Sequence, residues 1–329
     1  ANRIFQAGAN AMTGDLDIDG VSGTNVASIF YSTAGITGST TVQNITSMAL
    51  SETGDYRVLD FGGSSDLDVG NVTVTDVETT KSGSNDVAFI DLRPKITTSA
   101  KAWNFTNVVW DWDDATDGKL VEVLDCEATS THDLTITFSG CTGGATTGGT
   151  LMLFGLGQNV TYTPSQLPRK KVLDDDTTQH LAAVNFVGTN TLTQYANSSD
   201  AGIIYIRIGV MASSISAGTT FAAPNNAMGH NLTMYGNDIT FKGVVDCPMG
   251  LGWLLYGDRH TLDGTIKAQT PMYAGRTGSF QDESSEGHAL GTDGGLTLWT
   301  TETDDSNTKA AFDDRGWINT GTTDAYSDQ

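Results

Sequence analysis

The feature that most constrains the fold is a set of short apolar doublets, in which two apolar residues lie two positions apart and a turn follows. Leu232 and Met234 form one doublet, Ile239 and Phe241 form the next, and residues 235–238 separate them with Gly and Asn. Residues two apart on a strand share a face, so each doublet predicts a strand of a few residues that ends at a tight turn. Similar units recur along most of the chain, which predicts an all-β fold of many short strands.

Composition favours the same fold class. Among the 329 residues are 38 Gly, and hydrophobic residues make up 38% of the chain. The abundant Thr, Asn and Ser favour strands and turns over helices. A chain of this length can bury one large β core or two smaller ones. No run of about 18 apolar residues occurs, so we expect no membrane span.

The charge balance argues against a nucleic-acid partner. Asp and Glu number 39 against 17 Lys and Arg, which gives a formal net charge of −22. Such a field repels phosphate backbones unless a concentrated basic patch overcomes it. The one contiguous basic run, at residues 169–171, is followed at once by three Asp at residues 174–176. We therefore expect no nucleic acid among the partners.

The cysteines indicate a reducing compartment. Cys126, Cys141 and Cys247 are an odd and sparse set that does not resemble a disulfide framework. A Cys126–Cys141 pair is the alternative. We expect folding in a reducing cytosol with free thiols.

Three segments are expected along the chain. Residues 1–50 are rich in Gly, Thr and Ser with isolated apolar residues, which is typical of an extended arm that becomes ordered on a partner. Residues 51–270 form the β-rich body, with an internal boundary near residues 163–176, where two prolines and clustered charge interrupt any sheet. Residues 271–329 form a polar cap or interaction segment.

A weak repeat favours one architecture for the body. Asn, an apolar residue and Thr follow one another at Asn44, Asn71, Asn104, Asn159 and Asn231, at intervals of 27, 33, 55 and 72 residues by residue number. In a β-solenoid each coil would re-use a turn-entering Asn and an inward apolar residue, with loops of variable length between coils. This pattern predicts a right-handed parallel β-helix. A β-sandwich or a jelly roll with similar turns is the alternative.

Two acidic segments resemble calcium loops, in which alternate carboxylates converge on one hard cation. The first begins at Asp15, and its twelfth position is Val26 where such a loop needs a bidentate Glu. The second consists of Asp111, Asp113, Asp117 and Glu122. In it, Ala115 fills the fifth position and Thr116 replaces the Gly of the sharp turn. We interpret both as solvated acidic loops and keep a weak calcium site as the alternative; no other cofactor is expected.

The aromatic and titratable residues do not define an active site. Trp103, Trp110 and Trp112 could form a sugar-stacking surface, but packing in a core or at a subunit interface is the favoured interpretation. The cluster at residues 257–260, Gly-Asp-Arg-His, is interpreted as a polar turn. The five His have no metal-ligand spacing. We therefore expect a structural protein and not an enzyme.

Taken together, the N-terminal arm, the acidic all-β body with Gly- and Asn-rich turns, and the polar tail containing Trp299 and Trp317 resemble the virion proteins of tailed bacteriophages. More narrowly, the chain is similar to the trimeric decoration or cement proteins of icosahedral heads, some of which have a β-helical, tailspike-like body. The likeness extends over the whole chain and has no diagnostic motif, so no family residue is carried over to this sequence.

This resemblance implies a mechanical role. A homotrimer would bind the major capsid protein on the outer surface of the head, after assembly in the host cytoplasm. Ile4, Phe5, Leu16 and Ile18 would be buried against the capsid. The alternative is a tailspike or tail fibre that binds, or cleaves, host surface polysaccharide. A secreted β-helical polysaccharide lyase is a third hypothesis.

Overall fold

The computed structural model describes residues 2–6, 12–51, 53–54, 56–61, 67–83, 87–92, 94–115, 118–123, 130–145, 151–154, 181–195, 204–207, 213–223, 230–235, 240–256, 261–262, 264–270 and 297–300. Every regular element in these residues is a β-strand. This confirms the all-β prediction.

The strands follow one another in chain order as β1 (Asn2–Gln6), β2 (Leu16–Asp19), β3 (Gly23–Tyr31), β4 (Thr40–Leu50), β5 (Tyr56–Arg57), β6 (Leu59–Asp60), β7 (Leu67–Asp68), β8 (Val72–Gly83), β9 (Val87–Leu92), β10 (Pro94–Lys95), β11 (Lys101–Ala115), β12 (Gly118–Val123), β13 (Leu134–Ser139), β14 (Thr142–Ala145), β15 (Met152–Phe154), β16 (Leu181–Val187), β17 (Asn190–Gln194), β18 (Ile204–Arg207), β19 (Ser214–Ile215), β20 (Thr219–Ala222), β21 (His230–Tyr235), β22 (Thr240–Phe241), β23 (Val244–Tyr256), β24 (Thr261–Leu262), β25 (Thr265–Thr270) and β26 (Thr297–Thr300).

Most of these strands stack into three parallel ladders, whereas β7 and β10 pair with each other in a separate two-stranded sheet. The first ladder is β2-β4-β8-β11-β13-β16-β19-β22-β24. The second runs through the later halves of β4, β8 and β11, then through β14, β17, β20, β23, β25 and β26. The third contains β1, β3, β5, β6, β9, β12, β15, β18, β21 and the end of β23.

Every strand pair in the described residues is parallel, and each strand pairs with the equivalent strand of the next coil. Sandwiches and jelly rolls are built mainly from antiparallel pairs. The pairing therefore favours the parallel β-helix. Its right-handed sense stays a prediction, based on the strong preference of parallel crossovers for that hand.

One column of register partners shows how the coils are spaced. Its residues, one from each coil, are Ile18, Val42, Val74, Phe105, Phe138, Phe186, Ile215, Phe241 and Leu262. Successive members are between 21 and 48 residues apart by residue number. The ring centroids of Phe105 and Phe138 are 4.9 Å apart, as are those of Phe138 and Phe186, so the aromatic rings stack along the coil axis.

The three Trp residues lie in this core. Trp103, Trp110 and Trp112 are fully buried. The indole nitrogen of Trp103 donates to the Gly70 carbonyl at 3.1 Å, and that of Trp112 donates to the Thr79 hydroxyl at 3.0 Å. The favoured interpretation as core residues is confirmed, and these rings form no sugar-stacking surface.

The Asn-x-Thr repeat does not mark the same position in each coil, contrary to the prediction from the sequence. Asn44 lies within β4 at a position with φ 57°, Asn71 directly precedes β8, and Asn104 is an exposed residue within β11. The apolar residue that follows each of these Asn is fully buried, as predicted. However, the three Asn occupy different places in the coil, so the intervals between them are not the coil period. Asn159 and the side chain of Asn231 lie outside the described residues.

The prediction of an N-terminal arm is wrong for residues 16–50. Leu16 and Ile18, which are 6% and 5% exposed, belong to the core, and β2 pairs with β4 in the first ladder. A short strand of a β-helix needs only alternate apolar residues, because the next coil covers them. Leu16 and Ile18 are therefore enough to form one rung of the stack, although two isolated apolar residues in the sequence did not indicate a folded domain.

The predicted boundaries at residues 163–176 and 271 do not separate the described strands into different stacks. Residues 163–176 lie outside the described residues, but the strands on either side pair directly, β13 with β16 and β15 with β18. The described coils before and after that segment therefore belong to one stack. Within residues 271–329, β26 continues the second ladder by pairing with β25. The rest of that segment lies outside the described residues.

Candidate functional site

The outer face of the first ladder carries a large uncharged surface, which we call the neutral face. Successive side chains along each strand point alternately into the core and out to the surface. Two full outward columns run over the coils from β4 to β16, and a shorter third column lies beside them. The members of the neutral face are Thr41, Thr73, Asn104, Thr137 and Asn185; Gln43, Thr75, Thr106, Ser139 and Val187; and Ala102, Thr135 and Ala183.

This face is flat and regular. Adjacent rungs are about 4.8 Å apart and outward residues of one strand about 6.6 Å apart, so five rungs span about 19 Å. Every member is at least partly exposed, and Val187 is 50% exposed. The first column continues beyond the face with Ser214 and Thr240, and the Ser214 amide donates to the Asn185 side-chain oxygen at 3.0 Å. In a chain with a net charge of −22, thirteen neighbouring outward residues carry no ionisable group.

Three carboxylates form the N-terminal rim of the neutral face. Asp15, Asp17 and Asp19 alternate along β2 and its approach, so their outward side chains are about 6.6 Å apart and do not converge on one cation. Each accepts a hydrogen bond from the next coil. The donors are the Ser39 amide at 2.8 Å, the Gln43 amide group at 3.5 Å and the Asn44 amide group at 2.8 Å. The predicted acidic loop is therefore mostly a strand, not a loop.

A column of left-handed residues borders the neutral face where the first ladder turns into the second. Its members are Gly20, Asn44, Asp76, Asn107, Gly140 and Gly188, all with φ between 52° and 69°. Gly and Asn adopt this conformation at the lowest cost. The side-chain nitrogen of Asn107 donates to the Asp76 carboxylate at 2.9 Å. The turn is thus tied from coil to coil by side chains.

A charged corner lies on the outside of the third ladder. Arg57 contacts the Asp91 carboxylate through Nε at 3.0 Å and Nη2 at 2.7 Å, and Lys119 forms an ion pair with Glu122. Residues three apart on a regular strand point to opposite faces, but the intervening residues 120 and 121 are both buried. This break in the alternation allows Lys119 to contact Glu122, whose side chain is almost fully buried.

The corner places two carboxylates on adjacent rungs. Asp91 and Glu122 are direct register partners in the pairing of β9 with β12. The side chain of Asp91 is 21% exposed and that of Glu122 only 4%. Each carboxylate is neutralised by its own cation. Sequence spacing gave no signal for this arrangement, because the two acids come from different coils.

The predicted metal ligands do not form one loop. β11 continues to Ala115 and β12 begins at Gly118, so the segment is two strands joined by a short connection. Asp111 lies in the second ladder opposite Thr80, whereas Glu122 lies in the third. Asp117 and the side chain of Asp113 lie outside the described residues. Among the described side chains, no group of three or more His, Cys, Asp or Glu could hold a metal ion. Calcium binding stays a prediction.

The predicted capsid-contact residues separate into two kinds. Leu16 and Ile18 are core residues, so they are not available to a partner. Ile4 packs partly buried against the core. Phe5 is 36% exposed and stacks on Phe30, with ring centroids 5.9 Å apart. Of the four, Phe5 alone keeps a large exposed apolar side chain.

The remaining candidates are partly outside the described residues. Cys141 is a free, buried thiol, and burial raises its pKa to about 11. Its Sγ donates to the Phe105 carbonyl at 3.3 Å. The predicted basic run at residues 169–171 and the polar turn at 257–260 lie outside the described residues. Within the described part of the chain, no helix is long and apolar enough to cross a membrane.

Comparison of the chain with protein-family models, with curated proteins and with solved structures found no match. The class is therefore defined by the chain's own geometry. It is an all-β coil stack with parallel ladders, an uncharged outer face and a charged outer corner.

Proposed function

We propose that the chain is a structural virion protein that decorates and stabilises an icosahedral phage capsid, as a homotrimer bound to the major capsid protein on the outer surface of the head. The observation that carries the proposal is the neutral face, a regular uncharged surface on a strongly acidic chain. Such a surface is suited to protein contact and carries no ionisable side chain. The resemblance in composition and organisation to decoration proteins supports the same role.

The coil stack suits a mechanical load. Its core is continuous from coil to coil, and each strand hydrogen-bonds to the next along the axis. Bending such a stack would break a ladder and separate packed rings. Repeated weak contacts around a capsid lattice add through multivalency, so each single contact need not be strong. The net negative charge of the chain would complement a basic surface on the capsid protein.

Co-sedimentation with purified heads tests this role. The full-length chain is mixed with heads of the phage that carries the gene, after those heads have been stripped of their outer proteins. We expect saturable binding at a fixed number of copies per head, and release at high salt, because screening weakens contacts with a basic surface. A chain that stays in the supernatant at every concentration and salt level would contradict the proposal.

The charged corner favours a second candidate, a tailspike or tail fibre that cleaves surface polysaccharide. Retaining glycosidases use two carboxyl groups about 5 to 5.5 Å apart, close to the rung spacing that separates the backbones of Asp91 and Glu122. Incubating the chain with a panel of bacterial surface polysaccharides tests this candidate. Oligosaccharide release that is lost in both Asp91→Asn and Glu122→Gln would favour it over decoration. No release from any polysaccharide would count against cleavage by this corner, and binding without release on a glycan array would favour a fibre that binds polysaccharide.

A further inference from the structure

We propose that the neutral face is the surface through which copies of this chain associate with one another. This inference rests on the proposed homotrimer and names the surface that forms it. The occupant is a second copy of the chain, and the argument depends on charge, on side-chain stiffness and on the acidic rim.

The absence of ionisable side chains suits the neutral face to self-contact. Two copies that each carry a net charge of −22 repel one another wherever acidic side chains oppose. Screening in physiological salt acts over about 8 Å, so charges in direct contact across an interface would still repel. The neutral face brings no such pair together.

The side chains of the neutral face are suited to contact at low entropic cost. Thr73, Thr75 and Thr137 are β-branched, and such side chains are stiff at χ1. Their neighbours on the ladder already cover part of each one. Ordering them at an interface therefore costs less than ordering Lys or Glu. Val187 adds an apolar side chain, half of which is in contact with solvent in the single chain.

The acidic rim would set how two copies align. Asp17 and Asp19 continue the two long columns of the neutral face at its N-terminal end. If one copy in a parallel arrangement slid along the axis toward its partner's N-terminal coil, its uncharged side chains would cover and desolvate these carboxylates. Burying a charge without a partner is costly. We therefore expect the contact to be confined to the rungs from β4 to β16, with the acidic rim of each copy left in solvent.

Paired substitutions test the surface. In the face variant, Thr73→Asp and Thr137→Asp place two charges on the neutral face, with the Asn104 rung between them. In the matched control, Thr142→Asp and Thr220→Asp place the same charges on the outer face of the second ladder, with the Thr191 rung between them. All four Thr are partly exposed. A third variant, Thr73→Asn and Thr137→Asn, changes the same positions without adding charge.

The readout is the native mass of each purified, full-length variant, with circular dichroism as the test of folding. We expect the wild type, the matched control and the Asn variant at three times 34.7 kDa, and the Asp face variant at 34.7 kDa. A wild type that stays at 34.7 kDa would overturn the proposal, even if it binds a glycan. A folded face variant that keeps the wild-type mass would also overturn it, as would a control that dissociates equally. If the Asp face variant fails to fold, the neutral-face position is tested by Thr73→Lys and Thr137→Lys under the same two criteria.

These masses are measured without capsids. A chain that associates through the neutral face but does not sediment with heads would refute the decoration role alone. A chain that binds heads as single copies would refute the association alone.

Discussion

Single residues hold the turn between the first two ladders. Asn44, Asp76 and Asn107 have positive φ, a conformation that costs most side chains about 1 kcal/mol or more. The Asn and Asp side chains offset this cost by bonding from one coil to the next. Asn44 donates to Asp19, and Asn107 donates to Asp76.

Asn107→Ala should lower the free energy of unfolding by roughly 2 kcal/mol, because it leaves a β-carbon at positive φ and removes the hydrogen bond to Asp76. Asn107→Gly keeps the backbone conformation without strain and should cost less. Urea unfolding followed by circular dichroism measures both. An alanine variant as stable as the glycine variant would show that the left-handed conformation carries no cost here.

Because of Cys141, the free energy of unfolding should fall as the pH rises above 9. Burial raises the pKa of its thiol from 9.0 to about 11, so between these values the unfolded chain loses the proton and the folded chain keeps it. Stability is therefore unaffected below pH 9 and falls as the pH rises toward 11, by up to roughly 2–3 kcal/mol. The difference between wild type and Cys141→Ala isolates this contribution from other groups that titrate there. Parallel pH profiles of the two proteins would contradict it.

At the scale of the strands, the stacked Phe column is the most sensitive part of the core. Phe138 lies between Phe105 and Phe186, with ring centroids 4.9 Å away on either side, and it is fully buried. Phe138→Ala should lower the free energy of unfolding by about 3–5 kcal/mol. Phe138→Leu keeps most of the volume and should cost less than half of that. An alanine variant that loses under about 1 kcal/mol would mean that the column is not packed as described.

The N-terminal coil should be a structural part of the stack. Deleting residues 1–20 removes β1 and β2, which uncovers Phe30 and Val42 at the end of the core. We expect lower stability and binding of a hydrophobic dye, measured against the full-length chain. A truncated chain with unchanged unfolding and no dye binding would restore the prediction of a separate arm.

The strands were predictable from sequence, but their partners were not. The doublet at Leu232 and Met234 lies in β21, because alternation is a local property that a strand needs on its own. The partner of each strand lies one coil away, and the coil length varies between 21 and 48 residues. No fixed period therefore marks the pairing in the sequence.

The candidate surfaces could not be predicted from the sequence for the same reason. Thr73, Asn104 and Thr137 become neighbours only when successive coils stack. Asp91 and Glu122 likewise meet across two coils. By contrast, the acidic segment from Asp111 to Glu122 looked like a site because its residues are close in sequence, and the two strands then separate them.

At the scale of the whole molecule, an uncharged outer face belongs to a strongly acidic chain. We propose that another copy of the chain covers this face and that the net negative charge favours a basic partner elsewhere. The core is shared by successive coils, which suits the stack to a mechanical load. These properties together support an assembled structural role.

Cryo-electron microscopy of the purified protein tests the coil stack and the neutral face in one measurement. We predict parallel rungs about 4.8 Å apart, with Thr73 and Thr137 of each copy in contact with another copy. A map in which the strands pair antiparallel, or in which the neutral face of every copy is open to solvent, would contradict the account.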